Sequence, residues 1–243
     1  MRIPRLYTPQ ALSKDSLIDL DESSSRHLVS VLRMSAGQQV ILFNGQGGEY
    51  SGELSNVRKN SASVSISKFI DCDRESPLKV HLAVGVCRGD RMDWIVQKAS
   101  ELGVCSITPL FTERTEVKLN AERLDKKTRH WQQIAISACE QCQRTLVPIV
   151  SPAMPLSQWV AVDNDSLKLV LHHRASKRLS ELSSDINLVS LLVGPEGGLS
   201  SSEIDLSLNH GFKPLALGPR VLRTETAPLA ALSIVQSLWG DMG

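Results

Sequence analysis

The stretch that decides the fold is LVSLLVGPEGGLSSSE, residues 188–203. Its first six residues are apolar apart from one serine, as in a strand that is covered on both faces. Three glycines follow within five positions, and Ser200 with Glu203 then forms the S-x-x-E pattern that opens a helix. A buried strand, a glycine turn and a capped helix in this order predict an α/β unit with a parallel sheet.

The alternation of strand and helix extends on both sides of this stretch. Further apolar runs predict strands at 79–86, 104–110, 167–171 and 215–217. We expect one helix between them from a cap at Asp90 to a stop at Gly103, a second over about 120–143, and a last one at the C-terminus. The pattern is that of a parallel sheet wrapped by helices.

The first seventy residues have a different pattern of apolar and polar residues. Short alternating stretches at 40–43, 49–57 and 61–67, with the turn signal Asn44-Gly45, predict a β-meander or small barrel. One helix is expected over Arg26–Met34, with its apolar residues Leu28, Val31 and Leu32 on one side. The polar segment DCDRESP at 71–77 is a candidate linker. We therefore expect two domains, 1–73 and 74–243.

Polar segments follow three of the predicted strands, where ligands collect in open parallel sheets. The first is the glycine turn 194–198, whose spacing matches neither a P-loop nor the G-x-G-x-x-G of dinucleotide folds. Its glycines let a backbone approach a ligand and leave amides free to donate, although a plain structural turn is an equal alternative.

The second segment, Gly218–Ala227, holds two arginines, a glutamate and two threonines beside a predicted core. Its alternative interpretation is a capped helix start with a local salt bridge. The third, around His172 and His173, ends an apolar run; metal binding by this pair is disfavoured because adjacent side chains on an extended segment point to opposite faces. Loops of this composition suit a cofactor with an adenine, a ribose and a charged tail.

Composition narrows the class of protein. The five cysteines are an odd number, which favours reduced thiols, and Cys139-x-x-Cys142 lacks the second pair that a zinc site requires. No apolar run is long enough to span a membrane and no signal peptide is visible, so we expect a cytoplasmic protein without a bound metal. The net charge of +1 neither supports nor excludes RNA binding. A basic group on the helix 120–143 is either a solvated face or a phosphate contact; it comprises Arg123, Lys126, Lys127, Arg129 and His130.

At the glycine turn GPEGG (194–198) and at LGPRVLRTETA (217–227) the sequence resembles the bacterial small-subunit ribosomal RNA uracil-N3 methyltransferases, the RsmE family of the SPOUT class. The likeness extends to MRIPRLY at the N-terminus, HLVSVLRM at 27–34, QKASELGV at 97–104 and ACEQCQR at 138–144, and so covers nearly the whole chain. His173 and Gln143 depart from the family pattern, where a proline and a glycine are expected.

The resemblance implies a PUA-like β-barrel followed by a SPOUT α/β domain with a C-terminal trefoil knot. It implies a homodimer that binds S-adenosyl-L-methionine and methylates N3 of a uridine in the decoding region of 16S rRNA, within the assembled 30S subunit. The implied cofactor-binding residues are Leu171, His172, Gly194, Glu196, Gly197, Gly198, Leu217, Gly218, Leu222, Arg223, Thr224, Thr226 and Ala227. The implied RNA-binding residues are Arg2, Arg5 and Arg33.

Methylation at N3 requires loss of the N3 proton, so we expect general-base chemistry without a covalent enzyme intermediate. Our hypothesis is that Arg220 or Arg223 stabilises the uracil anion and that Glu225 or His172 assists proton removal. Two other classes of protein stay open: a nucleotide-binding oxidoreductase, and a non-catalytic RNA-binding factor with a methyltransferase-like fold.

Overall fold

The computed structural model describes residues 3–117, 120–172 and 185–243. The chain folds as two compact units. The first consists of Met1–Glu75 and Cys139–Val147, and the second of Ser76–Ala138 and Pro148–Gly243. The segment Cys139–Val147, which a division at residue 73 places in the second domain, is therefore part of the first unit.

The first unit is built on a five-stranded sheet in the order β1-β3-β4-β5-β2. Strand β1 pairs parallel with β3, and the other pairs are antiparallel. The strands predicted at 40–43, 49–57 and 61–67 are confirmed as β3, β4 and β5. The five strands are β1 (Arg5–Tyr7), β2 (Leu17–Asp19), β3 (Gln39–Phe43), β4 (Glu49–Arg58) and β5 (Ser61–Ile70).

The helix predicted over Arg26–Met34 is wrong in position and in periodicity. Helix α1 (Glu22–Arg26) is capped by the side chain of Asp21 and runs into a π-helical turn, His27–Val31. That turn contains one more residue than an α-helical turn, so the 3.6-residue spacing no longer decides which side chains point inward. Leu28 is fully buried as predicted, but Val31 is 65% exposed.

The second unit is built on a parallel sheet in the order β12-β10-β11-β6-β7-β8, with β9 paired to β7. Its strands are β6 (Lys79–Gly85), β7 (Ser106–Phe111), β8 (Ile149–Val150), β9 (Met154–Pro155), β10 (Leu167–Leu171), β11 (Leu188–Val193) and β12 (Lys213–Leu215). Its helices are α2 (Arg91–Glu101), α3 (Ala121–Cys142), α4 (Leu156–Val160), α5 (Ser201–Asn209) and α6 (Thr226–Trp239).

Most predicted boundaries of this unit are confirmed within two residues. The capping box of Ser200 and Glu203 opens α5, and Gly103 ends α2 with a φ of +83°. Two details are corrected. Asp90 occupies the N-cap position of α2, but its side chain makes no capping hydrogen bond. The last strand is β12 at Lys213–Leu215 instead of 215–217, so Leu217 lies in the loop beyond it.

The sheet of the second unit is covered on both faces by apolar side chains. Along β11, Val189, Leu191 and Val193 belong to the larger core, whereas Leu192 belongs to a smaller core that also contains Phe212. This double burial explains the unbroken apolar run of β11. Within the described residues, every helix is too short or too polar to span a lipid bilayer.

The trefoil knot stays a prediction. Residues 173–184 connect β10 to β11 and lie outside the described residues, so the path of the chain through this region is not followed. His173, which the sequence analysis names beside His172, falls in the same segment.

Candidate functional site

The carboxyl ends of three neighbouring strands form a cavity. Strands β12, β10 and β11 are adjacent and parallel, so the loops that follow them meet at one edge of the sheet. The cavity has a volume of about 310 Å³. It is lined by Arg114, Leu171, His172, Val193, Gly194, Pro195, Glu196, Gly197, Gly198, Leu199, Ile204, Leu215, Leu217, Gly218, Arg220, Val221, Leu222, Thr224 and Ala227.

The glycine turn forms one wall of this cavity. The amide of Gly198 donates to the carbonyl of Pro195 over 2.8 Å, and Gly198 has a φ of +67°. A Cβ on Gly194 would lie 2.8 Å from the Leu199 nitrogen and 2.9 Å from the Gly198 carbonyl carbon, which are backbone atoms. Glycine is therefore required at 194 for space and at 198 for conformation.

The loop between β12 and α6 forms the facing part of the lining. Leu217, Leu222 and Thr224 line the cavity, and Gly218 turns the chain with a φ of +102°. The carbonyl of Arg223 accepts hydrogen bonds from the amides of Thr226 and Ala227 at the start of α6. The apolar members of this loop and of the three strands provide surface for a flat ligand, while backbone groups are available to read its edge.

The structure separates the three predicted catalytic residues. Arg220 lines the cavity, whereas Arg223 and Glu225 are not among its lining residues. Glu225 borders a neighbouring depression together with Arg88, Arg91 and Trp94. Its carboxylate oxygen lies 3.6 Å from Nε of Arg91. Of the predicted cofactor-binding residues, Arg223 and Thr226 are outside the lining, although Arg223 fixes the loop through its carbonyl.

Glu196 links the glycine turn to the residues after β6. Its Oε1 accepts hydrogen bonds from the Arg88 amide at 2.9 Å and from Nη1 of Arg91 at 2.8 Å. Partial burial alone would raise the pKa of this carboxyl, but these hydrogen bonds, its own amide and the charge of Arg91 outweigh burial and lower it. Glu196 is therefore an anion with a fixed cationic partner.

Arg114 is a lining residue that the sequence analysis missed. Its Nη1 donates to the Gly197 carbonyl at 2.7 Å. It follows β7, which lies in the same parallel sheet, so its loop emerges at the same edge as the three predicted loops. The rule that ligands collect at strand ends would have included it, had it been applied to this strand as well.

No cysteine is found among the cavity-lining residues that the structure describes. Cys87 is buried and its thiol donates to the Gly85 carbonyl at 3.1 Å. Burial first, and then the charge of Glu196, raise the pKa of Cys87 to about 12. A thiol that stays protonated at neutral pH does not attack a substrate carbon. The described lining therefore does not contain the thiolate that methylation at a ring carbon requires.

The C-x-x-C pair lies in the last turn of α3. Cys139 is buried and Cys142 partly buried. A hydrogen bond with Cys142, followed by burial, raises the pKa of Cys139 well above its ordinary value. Within the described residues no group of three or more histidine, cysteine or acidic side chains is arranged to hold a metal ion.

The prediction that Arg5 contacts RNA is corrected. The guanidinium of Arg5 is buried, with Nε donating to Glu49 at 2.9 Å and the two Nη atoms donating to the carbonyls of Cys139 and Arg144 at 2.9 and 2.7 Å. These contacts make Arg5 a structural residue of the first unit. Arg33 is exposed in a left-handed conformation with a φ of +53°, and Arg2 lies outside the described residues.

Comparisons with known proteins cover the whole chain. A family model described as RNA methyltransferase domain matches residues 74–236, and one described as RNA methyltransferase PUA domain matches residues 20–67. Ribosomal RNA small subunit methyltransferase E of Buchnera aphidicola is 36% identical over 99% of this chain and 98% of its own. The protein of the same name from Bacillus subtilis is 34% identical over 94% of this chain and 93% of its own.

Two solved structures are similar over their full length. The structure of ribosomal RNA small subunit methyltransferase E from Neisseria gonorrhoeae, bound to S-adenosyl methionine, is 37% identical with a TM-score of 0.93, and the match covers 100% of both chains. A Legionella pneumophila protein in complex with the bound cofactor SAM is 44% identical with a TM-score of 0.96, covering 99% of this chain and 100% of that chain.

Proposed function

Since this chain belongs to the family of ribosomal RNA small subunit methyltransferase E, we propose that it methylates N3 of a uridine in the decoding region of 16S rRNA, with S-adenosylmethionine as the methyl donor. The observation that carries the proposal is the cavity at the ends of β10, β11 and β12. It brings together both motifs on which the resemblance rests.

The lining of the cavity fits this donor. A volume of about 310 Å³ lies at the lower end of the range for small-molecule sites. Leu171, Leu217 and Leu222 provide apolar surface for an adenine, and the turn 194–198 provides backbone amides and carbonyls. A side chain at 194 would collide with this backbone, which is why glycine is present at that position. When bound, the donor supplies a methyl group on a positively charged sulfur.

The residues of the chain then have to remove a proton and stabilise an anion. Uracil N3 attacks only after its proton leaves, which places negative charge on the neighbouring carbonyl oxygens. Of the two arginines predicted for this role, Arg220 lines the cavity and is the one we retain. Of the two candidate bases, His172 lines the cavity and Glu225 does not, so we assign proton removal to His172.

We propose that each unit carries residues that bind RNA. In the first unit Arg33 is exposed, and the match to a PUA domain supports RNA binding there. In the second unit, four exposed basic side chains on α3 are available for phosphates, namely Arg123, Lys126, Lys127 and Arg129. The fifth basic residue of this group, His130, has its Nε2 2.8 Å from Oδ2 of Asp93. We propose that the substrate is the assembled 30S subunit and that the protein acts in the cytoplasm, where that subunit resides.

A homodimer is part of the proposal. Helix α6 packs against α2 in the second unit. Ile234 and Leu238 on α6 are 38% and 47% exposed, and Trp94 on α2 is 49% exposed. A second copy of the chain would cover such apolar side chains. Sedimentation equilibrium tests this: a mass of one chain at micromolar concentration would contradict it.

The proposed reaction is tested by mass spectrometry of rRNA nucleosides. We expect N3-methyluridine in the small-subunit rRNA of cells that carry the gene and its loss in cells from which the gene is deleted. Restoring the gene restores the nucleoside. If the nucleoside persists after deletion while the purified protein still binds rRNA, the non-catalytic RNA-binding alternative is favoured instead.

A further inference from the structure

Arg114 lies on the wall of the cavity, next to the glycine turn and outside the three loops described above. It is an exposed side chain that lines the cavity beside the glycine turn. Its Nη1 donates to the Gly197 carbonyl at 2.7 Å, which fixes one end of the guanidinium. An arginine has five N–H donors, so this single bond leaves others for a ligand.

The loop that carries Arg114 is held in place by its neighbours. The amide of Thr112 donates to the Thr115 hydroxyl at 3.0 Å, which closes a turn around position 114. The amide of Glu113 donates to Oε1 of Glu203 at 2.8 Å, and Oε1 of Glu113 accepts from the Ser202 hydroxyl at 2.8 Å. These bonds tie the loop to the first turn of α5. The backbone that carries Arg114 is thus held in one position before a ligand binds. A preorganised hydrogen-bond donor requires this.

Gly197 makes room for this arginine. A Cβ at 197 would lie 3.1 Å from Cβ and 3.3 Å from Cδ of Arg114. Gly197 does not have a positive φ, so its backbone conformation is open to other residues. Glycine at this position is therefore explained by the stem of Arg114 that crosses it.

The charges around the cavity point to an anionic partner for Arg114. Among the described residues, neither Arg114 nor Arg220 has a carboxylate within 4.0 Å. Among the lining residues that the structure describes, Glu196 is the acidic one, and it accepts hydrogen bonds from the Arg88 amide and from Nη1 of Arg91. The donor brings a cationic sulfur, and its carboxylate and ammonium groups balance each other. The need for an additional cation therefore arises from the substrate.

We propose that Arg114 is a catalytic residue that binds the target uracil and stabilises the negative charge on its carbonyl oxygens. In this step the N3–H bond breaks and the proton goes to the base. The N3–methyl bond forms as the methyl–sulfur bond breaks, and the electron pair of that bond stays on sulfur. Arg114 remains protonated throughout. The inference rests on the proposed function. It adds to the site a residue that follows β7, besides the loops after β10, β11 and β12.

The test compares Arg114→Ala, Arg114→Lys and the control Lys213→Ala. Lys213 is an exposed cation at the opposite end of β12, so its removal changes the net charge equally without touching the cavity. Single-turnover methyl transfer is measured on small ribosomal subunits from cells lacking the gene, at saturating S-adenosylmethionine. Donor affinity is measured separately by calorimetry, and folding by thermal unfolding.

We expect Arg114→Ala to lower the single-turnover rate by about 10²- to 10³-fold, as for loss of one preorganised donor. Methylguanidinium should restore part of that rate, and Arg114→Lys should retain only part of it because a lysine lacks the planar fork. Donor affinity should be unchanged in all variants, and Lys213→Ala should behave as wild type.

Three outcomes overturn the inference. An unchanged rate for Arg114→Ala removes Arg114 from the reaction and leaves the proposed function standing. A loss of donor affinity that accounts for the whole effect assigns Arg114 to the carboxylate of the donor. A wild-type protein that binds the donor but transfers no methyl group to N3 overturns the proposed function and this inference together. If Arg114→Ala fails to fold, Arg114→Lys supplies the same comparison.

Discussion

The carboxylate of Glu196 and the guanidinium of Arg91 lie 2.8 Å apart, and this pair ties the glycine turn to the first residue of α2. The same carboxylate oxygen also accepts from the amide of Arg88. Glu196 is the only charged residue of the turn 194–198. Its side chain therefore holds this turn in place, and the backbone of the turn stays free to face a ligand. The glycine motif and the residues after β6 form one structural element, although more than a hundred positions separate them in sequence.

This pair predicts a pH-dependent contribution to stability. Because the pKa of Glu196 is lowered in the folded protein, the pair contributes stability above the ordinary value of 4.5, and this contribution is lost as the pH falls through the lower, folded value. We expect Glu196→Gln to lower the unfolding temperature by a constant amount above pH 4.5, with the difference shrinking below it. Differential scanning calorimetry over a pH series measures this. A difference that is the same at every pH would contradict the assignment.

Alanine at two glycines of the same turn should have different effects on the donor. A Cβ at 194 meets backbone atoms of Gly198 and Leu199, whereas the three atoms nearest to a Cβ at 197 all belong to the side chain of Arg114. We expect Gly194→Ala to weaken donor binding by tenfold or more, equivalent to about 1.4 kcal/mol. Gly197→Ala should bind the donor normally and lose methyl transfer.

Calorimetric titration with S-adenosylmethionine measures the donor affinity of Gly194→Ala and of Gly197→Ala. Each variant serves as the control for the other. Equal donor affinity for both would show that the crowding at Gly194 does not matter for the site. Combining Gly197→Ala with Arg114→Ala should cause little further loss beyond Arg114→Ala alone, because the Cγ and Cδ contacts of the new Cβ are then gone and only the Cβ of residue 114, at 3.1 Å, remains.

Arg5 is expected to contribute to the free energy of unfolding of the protein. Arg5→Ala removes the buried one of two cationic partners of Glu49, whose side chain is only 6% exposed and which keeps Arg74 at 3.3 Å. It also leaves the carbonyls of Cys139 and Arg144 without this donor. Removing one partner of a buried ion pair destabilises by about 3–5 kcal/mol. Urea unfolding measures this loss.

The control is Arg33→Ala, where the arginine is exposed. Its free energy of unfolding should stay within about 0.5 kcal/mol of wild type. Affinity for small ribosomal subunits should fall instead, and the salt dependence of binding should weaken by a slope of about 1. A large loss of stability in Arg33→Ala would contradict its assignment as an exposed RNA-binding residue. No loss in Arg5→Ala would contradict the structural role of Arg5.

The two candidate bases are separated by conservative amide substitutions. His172→Gln should reduce the rate of methyl transfer by about 10²- to 10⁴-fold, because His172 lines the cavity and general-base catalysis contributes that much. Glu225→Gln should leave the chemical step intact, since its carboxylate faces Arg91 in the neighbouring depression. Single-turnover rates at saturating donor measure both. A fall in rate for Glu225→Gln alone would return the role of base to Glu225.

The parts of the site that the sequence predicted are local in sequence. Gly194 follows directly on a buried strand, and the S-x-x-E pattern starting at Ser200 marks the helix after it, so strand, turn and helix are all visible within sixteen residues. The same holds for His172 at the end of β10. Each of these predictions needs only the order of elements along the chain and the rule about strand ends.

The features that were missed depend on partners far along the chain. Arg5 reads as a surface cation because the carbonyls that bind it belong to Cys139 and Arg144, 134 and 139 positions away. Arg114 reads as part of a solvated loop until β7 is paired with β6 in the sheet. Val31 was misplaced for a different reason: a π-helical turn breaks the periodicity on which the prediction relied.

The central claim is that the loops after β10, β11 and β12 hold the methyl donor, and a crystal structure with S-adenosylmethionine bound tests it most directly. We expect electron density for the donor between the turn 194–198 and the loop 217–227, with its adenine against Leu217 and Leu222. A crystal in which these loops remain without donor density while the donor occupies another part of the protein would contradict the claim and every residue assignment built on it.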